Sequence, residues 1–305
     1  MRNFGLGIAV AAAAMTASTA SAAVLLSDDM STSTNWTVNG SADSLATFGY
    51  DYSAIGVPMA PGAANTLALR LEANNGDATA AAESIGVHSI PQFSGTYQVT
   101  LNFWANYTGP LELGGAGSTE FIGAAIGHDG AAAAFDSGAN LTFTGDAGSG
   151  TDLRAHEDGT LQGLGDGGFN GNLTGLNHPN IGGEIGLFPG TPAPAAQVAL
   201  HPAQIEFTRA GAAGFAWREM VITVSGTRAK FEVDGVFVVT LDNTDGTGFS
   251  TTGSLSMIYA DFFSSVAGNP AVSAGLFTNV VVTDVPEPAS LALLGLGGLA
   301  MLRRR

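Results

Sequence analysis

The sequence predicts an all-β protein, built as a two-sheet antiparallel sandwich of the jelly-roll type. Apolar and polar residues alternate with a period of two in many short segments, which is the pattern of half-buried strands. Glycine and asparagine recur between these segments, where turns are expected. No helical pattern of any length competes with them, so two packed sheets are the expected layers.

The clearest strand signal covers Tyr97–Tyr107, where apolar residues alternate with Gln98, Asn102 and other polar residues. Leu67–Leu71 shows the same alternation over a shorter span. Asp234-Gly235 separates two β-rich runs and predicts a tight hairpin turn, because both residues tolerate the positive φ that such a turn requires. Further strands are expected at Met220–Val224, Ala229–Val233, Val236–Leu241, Leu255–Tyr259 and Leu276–Thr283.

The stretch around residues 109–200 is rich in glycine and is expected to form long loops on the sheet scaffold. Phenylalanines are spread through it, which is unlike a disordered linker. Short strand-like pieces interrupt it at Phe121–Ile126, Leu141–Thr144 and Thr151–Ala155. We therefore expect one sandwich domain over residues 23–284.

The first 22 residues have the pattern of a secretory leader. Arg2 supplies a positive charge, and every residue from Phe4 to Met15 is apolar or glycine. The run is shorter than the ~20 residues of a membrane-spanning helix, and the small residues Ala20 and Ala22 fit an A-x-A cleavage site. The mature chain is therefore expected to begin at Ala23.

Residues 285–305 form a second targeting segment, which follows a fixed order. Pro286-Glu287-Pro288 interrupts regular structure, Leu291–Leu302 is apolar or glycine throughout, and Arg303-Arg304-Arg305 resists translocation. Twelve helical residues span about 18 Å of a ~30 Å hydrocarbon core. The segment is thus a marginal anchor that associates with the membrane transiently, and both targeting segments are expected to be short helices.

At these residues the chain resembles the PEP-CTERM tails of bacterial surface proteins. The resemblance implies processing by a membrane-embedded exosortase after passage through the secretion machinery, and a final location at the cell surface or in the extracellular matrix. It covers about 21 of 305 residues and implies nothing about the others. A plain C-terminal tail anchor is the alternative, because terminal arginines would serve either role.

Composition excludes several functions. The formal net charge is −16, and loss of the leader and the three terminal arginines removes four of ten basic residues and no acidic ones, which leaves about −20. No basic patch is available to neutralise phosphates, so nucleic acid is excluded as a partner. Cysteine is absent, so neither disulfides nor thiolate metal sites can contribute to stability.

A second resemblance concerns the sandwich itself. Several strand-like motifs are similar to those of laminin-G-like and concanavalin-like domains, which implies the same two-sheet architecture. They cover about a third of the chain and are Asp28-Asp29-Met30, Asn35-Trp36-Thr37, Trp217 with Met220–Gly226, Phe231–Gly235, and Asn279–Val282.

Motifs of catalysis are not found. Concanavalin-like glucanases carry Glu-x-Asp-x-x-Glu, but here Glu232-Val233-Asp234 is followed by Phe237 in the third acidic position. The five histidines lack zinc-protease spacing, and no Gly-x-Ser-x-Gly elbow occurs. We expect a protein that is not an enzyme. A hydrolase with dispersed carboxylates is the alternative, with Glu120, Glu157 and Glu184 as candidates.

No cofactor is expected, although calcium stays open. Asp242, Asn243 and Asp245 bring oxygen ligands into one short loop, as do residues 146–152. The competing interpretation is ordinary turn chemistry, in which Asp and Asn side chains bind their own backbone.

Trp104 is the strongest candidate for ligand contact. By alternation it shares the polar face of its strand with Gln98, Asn102 and Asn106, so an exposed ring flanked by amides would form a glycan-binding platform. The alternative is that a loop from the glycine-rich region covers Trp104 as a second small core. The expected function is thus a non-enzymatic surface or matrix protein that holds extracellular polysaccharide, with hydrolysis or self-association through sheet edges as alternatives.

Overall fold

The computed structural model describes residues 22–74, 76, 82–108, 120–131, 135–145, 153–163, 168–169, 188, 190–204, 208, 212–244, 248–262 and 268–286. The first eight strands are β1 (Val24–Asp28), β2 (Trp36–Gly40), β3 (Ser44–Asp51), β4 (Leu67–Ala73), β5 (Glu83–Phe93), β6 (Tyr97–Asn106), β7 (Glu120–His128) and β8 (Ala139–Thr144). The others are β9 (Leu153–Glu157), β10 (Thr160–Leu161), β11 (Trp217–Ser225), β12 (Arg228–Val233), β13 (Val236–Asp242), β14 (Gly253–Asp261) and β15 (Ala274–Asp284).

These strands form two sheets. Sheet A has the order β13-β12-β11-β6-β15-β4-β3, and β1 also pairs with β15. Sheet B has the order β10-β9-β8-β7-β14-β5-β2. All the registered strand pairs are antiparallel, for example Met257 with both Val87 and Ala124. The predicted all-β, two-sheet antiparallel sandwich is therefore confirmed.

The main core lies between the sheets and follows the alternation in the sequence. Val99, Leu101 and Phe103 of β6 are fully buried between the sheets. Phe103 of sheet A stacks on Phe143 of sheet B, with 6.0 Å between the ring centroids. Because the chain has no cysteine, packing of this kind and the strand hydrogen bonds hold the sandwich together.

The predicted Asp-Gly hairpin is present between β12 and β13. Asp234 and Gly235 both have positive φ, at 50° and 74°, as a tight hairpin with the twist of its strands requires. The Asp234 side chain also accepts a hydrogen bond from the Glu219 backbone N–H at 2.9 Å, which ties the turn to β11.

Two short helices interrupt the described strands. A 3₁₀ helix covers Tyr52–Ile55, and helix α1 covers Ala195–Leu200. Neither is long enough to produce a helical period in the sequence, so neither helix was predicted. Together they pack on the outer face of sheet A and bury Tyr52 and Trp104 there.

The outer face of sheet B carries a third apolar cluster. Phe135 and the partly buried Phe262 cover Ala125, Ile258 and Ala260 on the strands beneath. His156 lies at the margin of this cluster, 6% exposed, with its ring 4.8 Å from that of Phe135. Its Nδ1 lies 3.1 Å from Oδ1 of Asn140 on the neighbouring strand.

The burial of His156 predicts a loss of stability in mild acid. Desolvation, followed by the nearby Arg154 cation, lowers the pKa of His156 from 6.5 to about 4. The unfolded chain therefore takes up a proton near pH 6.5, whereas the folded chain resists it until near pH 4. The contribution of His156 to the free energy of unfolding is complete above pH 6.5. It declines by up to about 3 kcal/mol as the pH falls to 4.

Urea unfolding at several pH values between 7 and 4 would measure this effect. The variant His156→Gln should show a shallower decline in stability than the original chain over that range. His201→Gln, at the end of α1, is the matched control and should leave the slope unchanged. Identical slopes for His156→Gln and the original chain would contradict the prediction.

The start of β1 and the end of β15 lie side by side at one end of sheet A. Val24 pairs with Thr283, and the Asp284 backbone N–H donates to the Ala23 carbonyl at 2.9 Å. Among the described residues, no helix has the length and apolar character to cross a membrane. The apolar segment at residues 291–302 lies outside the described residues.

Candidate functional site

Trp104 is buried, so the exposed platform predicted around it is wrong. Its side chain is 1% exposed and packs with Tyr52, Leu276 and Phe215 under the 3₁₀ helix and α1. The alternation correctly placed Trp104 on the outer face of β6. The alternative prediction, that Trp104 belongs to a second small core, describes this end of the strand, because a segment from the glycine-rich region covers the ring.

Asn106 is committed to the same buried region. Its Oδ1 accepts from Trp104 Nε1 at 2.9 Å and from Gln197 Nε2 at 3.1 Å, and its Nδ2 donates to the Val272 carbonyl at 2.6 Å. A further link runs from Gln204 Nε2 to Gln197 Oε1 at 3.2 Å. These amides hold α1 on sheet A rather than presenting hydrogen-bonding groups to a ligand.

Asn102 and Gln98 lie farther along the same face. Asn102 lines a shallow cavity of about 380 Å³ and accepts a hydrogen bond from Asn279 Nδ2 at 2.9 Å. Gln98 Nε2 donates to the Thr223 hydroxyl at 3.1 Å. The four predicted platform residues are thus divided between a covered cluster, a shallow cavity and a surface hydrogen bond.

A larger cleft, of about 740 Å³, lies where the edge strands of the two sheets meet. Phe169 forms an isolated antiparallel β-bridge with Val239 of β13, and the Thr240 backbone N–H donates to the Gly168 carbonyl at 2.8 Å. The described residues that line the cleft come from β9, β12, β13 and the segments next to β10, and are Glu157, Gln162, Gly168, Phe169, Arg228, Phe237, Val239, Thr240, Leu241 and Asp242.

Charged groups meet at one end of this edge cleft. Arg228 Nε binds Asp242 Oδ2 at 2.5 Å, and the Thr227 hydroxyl donates to Asp242 Oδ1 at 3.1 Å. Burial acts to raise the pKa of Asp242, but hydrogen bonds from Arg228 and Thr227 outweigh it and hold the pKa below its usual value. The Asp242 backbone N–H donates to Glu157 Oε1 at 3.2 Å, which fixes that carboxylate in the cleft.

The loop proposed for calcium uses its side chains in the turn. Asp242 is bound by Arg228, while Asn243 Nδ2 donates to the Phe249 carbonyl at 2.6 Å and its Oδ1 accepts from the Gly248 N–H at 3.1 Å. Asp245 lies outside the described residues. Within the described ranges, no group of three or more His, Asp or Glu side chains has the arrangement of a metal site. Turn chemistry accounts for Asp242 and Asn243.

The two candidate catalytic carboxylates that the structure describes, Glu120 and Glu157, do not come together. Glu157 lies in the edge cleft, whereas Glu120 is buried at the other end of sheet B, beside Asp261. Glu157 of β9 pairs with Ala139 of β8, which in turn pairs with Ile126 of β7. Ile126 lies six residues along β7 from Glu120. At 3.3 Å per residue this separation is about 20 Å, beyond the reach of a glycosidase pair. Glu184 lies outside the described residues.

The edge cleft unites two residues that the sequence had singled out for different reasons, Glu157 and Asp242. It also contains Gln162, Phe169 and Phe237, which no sequence pattern indicated. The run Val236–Val239 is apolar throughout, so alternation does not assign Phe237 to either face of β13. Most of the predicted processing residues lie outside the described ranges. Ala22 is exposed before β1, and Pro286 is the last described residue. The residues that are not described are Ala20, Glu287, Pro288, Arg303, Arg304 and Arg305.

Comparison with protein families finds one match. Residues 284–305 match the model described as "PEP-CTERM protein-sorting motif", which confirms the interpretation of the tail. The motif indicates an exported protein that associates with the surface through its C-terminal segment. No curated protein matches the chain.

Several solved structures are similar over most of this chain, at low sequence identity. A protein of unknown function with a galectin-like fold from Bacillus subtilis has 9% identity and a TM-score of 0.44, over 87% of this chain and 98% of that one. The carbohydrate-binding module CBM66 from Bacillus subtilis has 10% identity and a TM-score of 0.40, over 81% and 94%. The endo-β-1,4-glucuronan lyase from the fungus Trichoderma reesei has 10% identity and a TM-score of 0.45, over 86% and 96%.

Proposed function

We propose that this exported protein binds neutral polysaccharide outside the cell in its edge cleft, and that it does so without cleaving the chain. The observation that carries the proposal is the lining of the cleft, where planar polar side chains and phenylalanine rings surround about 740 Å³. Cavities of 300–1,000 Å³ with a few convergent polar groups are typical of ligand sites. The sorting motif supports a location where such polymers occur.

The chemistry of the lining suits a sugar. Gln162 offers an amide donor and acceptor, and Glu157 offers carboxylate oxygens to hydroxyl groups. Phe237 and Phe169 offer apolar ring surface to the C–H faces of a pyranose. Both rings lie on the same cleft as the polar groups, so one saccharide chain would contact both kinds of surface.

Charge favours a neutral polymer. The cation of Arg228 is neutralised by Asp242 within the cleft, so Glu157 leaves the lining with net negative charge. The whole chain is strongly acidic as well. A polyanionic polysaccharide would be repelled, while uncharged hydroxyl groups would be accepted.

The absence of cleavage is part of the proposal. A glycosidase needs a protonated carboxyl group beside a second carboxylate. Asp242, the acid closest to Glu157 along the cleft wall, has a lowered pKa and stays ionised, which is the wrong state for a proton donor. Glu120 is about 20 Å away along the strand direction.

Binding to a panel of neutral and acidic glycans, followed by calorimetry on the best ligand, would test the site. Phe237→Ala and Gln162→Ala should each weaken binding roughly tenfold, because a lost contact of about 1–1.5 kcal/mol corresponds to that factor. Ile90→Ala is the matched control, since Ile90 is 58% exposed and lies outside the cleft. It should leave affinity unchanged.

Two results would contradict the proposal. If Phe237→Ala and Gln162→Ala bound every positive glycan as tightly as Ile90→Ala, the edge cleft would not be the site. If a reducing-sugar assay detected cleavage that Glu157→Gln abolished, the protein would be a hydrolase and Glu157 would be one of its catalytic groups.

A further inference from the structure

The two ends of the domain meet at a pair of hydrogen bonds between Ala23 and Asp284. The Ala23 backbone N–H donates to the Asp284 carboxylate, and the Asp284 backbone N–H donates to the Ala23 carbonyl at 2.9 Å. Val24 pairs with Thr283 directly above them. This contact is therefore the first step of the ladder between β1 and β15.

The same contact lies at the base of the tail. Asp284 is the first residue of the matched sorting motif, and the next residue, Val285, donates its backbone N–H to the Thr96 carbonyl at 3.0 Å. The motif thus begins inside the folded domain. The residue that β1 presents to it is Ala23, the predicted first residue of the mature chain.

The start of strand β1 is weakly held, although the strand is anchored farther along by buried Leu26 and by the hydrogen bonds of the Asp28 carboxylate. It pairs only with β15 among the described strands, and its register shifts between Val24 and Leu26. Val24 and Leu25 are 62% and 45% exposed, so little apolar burial fixes this end. A stronger interaction at Ala23 would therefore hold the start of β1 more firmly on β15.

Removal of the leader changes the chemistry of this contact. Hydrolysis of the peptide bond between Ala22 and Ala23 consumes one water molecule, leaves a carboxylate on Ala22 of the leader and gives Ala23 a free amine. A terminal amine has a pKa near 7.7–8.0 and carries a proton at neutral pH. The neutral N–H that faced Asp284 becomes an ammonium, and charge-assisted hydrogen bonds are roughly twice as strong as neutral ones.

We propose that leader removal at Ala22–Ala23 creates an ammonium–carboxylate pair between Ala23 and Asp284, which locks β1 onto β15 at the base of the sorting tail. N-terminal maturation then fixes β1 against β15, the strand from which the tail emerges. Processing at one end of the chain is thereby linked to the structure at the other end, although 261 positions separate the two residues.

The test is a double-mutant cycle on the exported full chain. One variant inserts Gly-Ser between Ala22 and Ala23, so that after cleavage the amine lies two residues away while the Ala23 N–H stays a neutral donor. The second is Asp284→Asn, and the third combines both. Mass spectrometry establishes the N-terminus and the state of the tail in each preparation, and thermal unfolding gives Tm at low salt and in 1 M salt.

Asp284→Asn should lower Tm by about 1–3 °C more in the chain that begins at Ala23 than in the chain with the insertion. The difference should shrink in 1 M salt, where the Debye length is ~3 Å. Equal losses in the two backgrounds, or a mature N-terminus other than Ala23, would overturn the proposal.

Discussion

Trp104→Ala should lower the free energy of unfolding by about 3–5 kcal/mol, the usual range for truncation of a buried tryptophan. The ring is 1% exposed and fills the space between sheet A, the 3₁₀ helix and α1. Its loss would leave a cavity beside Tyr52 and Trp217 and would also remove a donor to Asn106 Oδ1. The expected fall in Tm is roughly 6–20 °C for a domain of this size.

Trp104→Phe is a milder truncation of the same side chain. Phenylalanine keeps a six-membered ring but loses the five-membered ring and its Nε1 donor, while Asn106 Oδ1 still accepts from Gln197. We expect a cost of about 1–2 kcal/mol and no change in glycan affinity. Chemical unfolding would measure both variants, and a normal stability for Trp104→Ala would show that the covering helices do not pack on the ring.

Gly127→Ala should destabilise the domain by about 2–5 kcal/mol. Gly127 has φ of +68°, where a Cβ adds strain of roughly 1–2 kcal/mol. The added carbon would also lie 1.7 Å from the Ser250 carbonyl oxygen, so the backbone of β7 or of the loop before β14 would have to move. Overpacking of this kind typically costs about 1–3 kcal/mol.

Gly226→Ala is the matched control for this glycine. Its φ is +61°, similar to that of Gly127, but nothing lies within 4 Å of the added carbon. It should therefore show the conformational strain without the steric clash. Chemical unfolding of the two variants side by side gives the cost of the contact with Ser250, and equal losses would mean that the clash is relieved at no cost.

Strand periodicity predicted the fold because it reflects the core directly. Val99, Leu101 and Phe103 alternate with polar residues, and the structure buries all three between the sheets. The Asp234-Gly235 turn was also predictable, since few residue pairs tolerate positive φ twice in succession.

The candidate site could not be predicted in the same way. Alternation assigns a side chain to one face of a strand, but it does not say whether another segment covers that face. Trp104 and Asn106 lie on the outer face as expected and are buried by α1, six residues that leave no helical period in the sequence. Arg70 and Glu72 likewise occupy a polar face and form a buried pair at 2.9 Å.

The edge cleft could not be predicted, because the residues that line it are far apart in the sequence. Glu157 and Asp242 are brought together where β9, next to the edge strand β10 of sheet B, meets β13, the edge strand of sheet A, and 85 positions separate them. A single sequence carries no sign of which edge strands meet. The tail was predictable for the opposite reason, since its prolines, apolar segment and arginines are consecutive.

The placement of β15 determines how the domain would bear mechanical load. This strand leads directly into the sorting tail, yet it lies inside sheet A, with nine registered pairs to β6 and further pairs to β4 and β1. Tension on the tail would load these hydrogen bonds in shear along the strand rather than peel an edge strand away. A force that pulls on the tail would therefore be spread across the sheet, in a chain with no disulfide to share it.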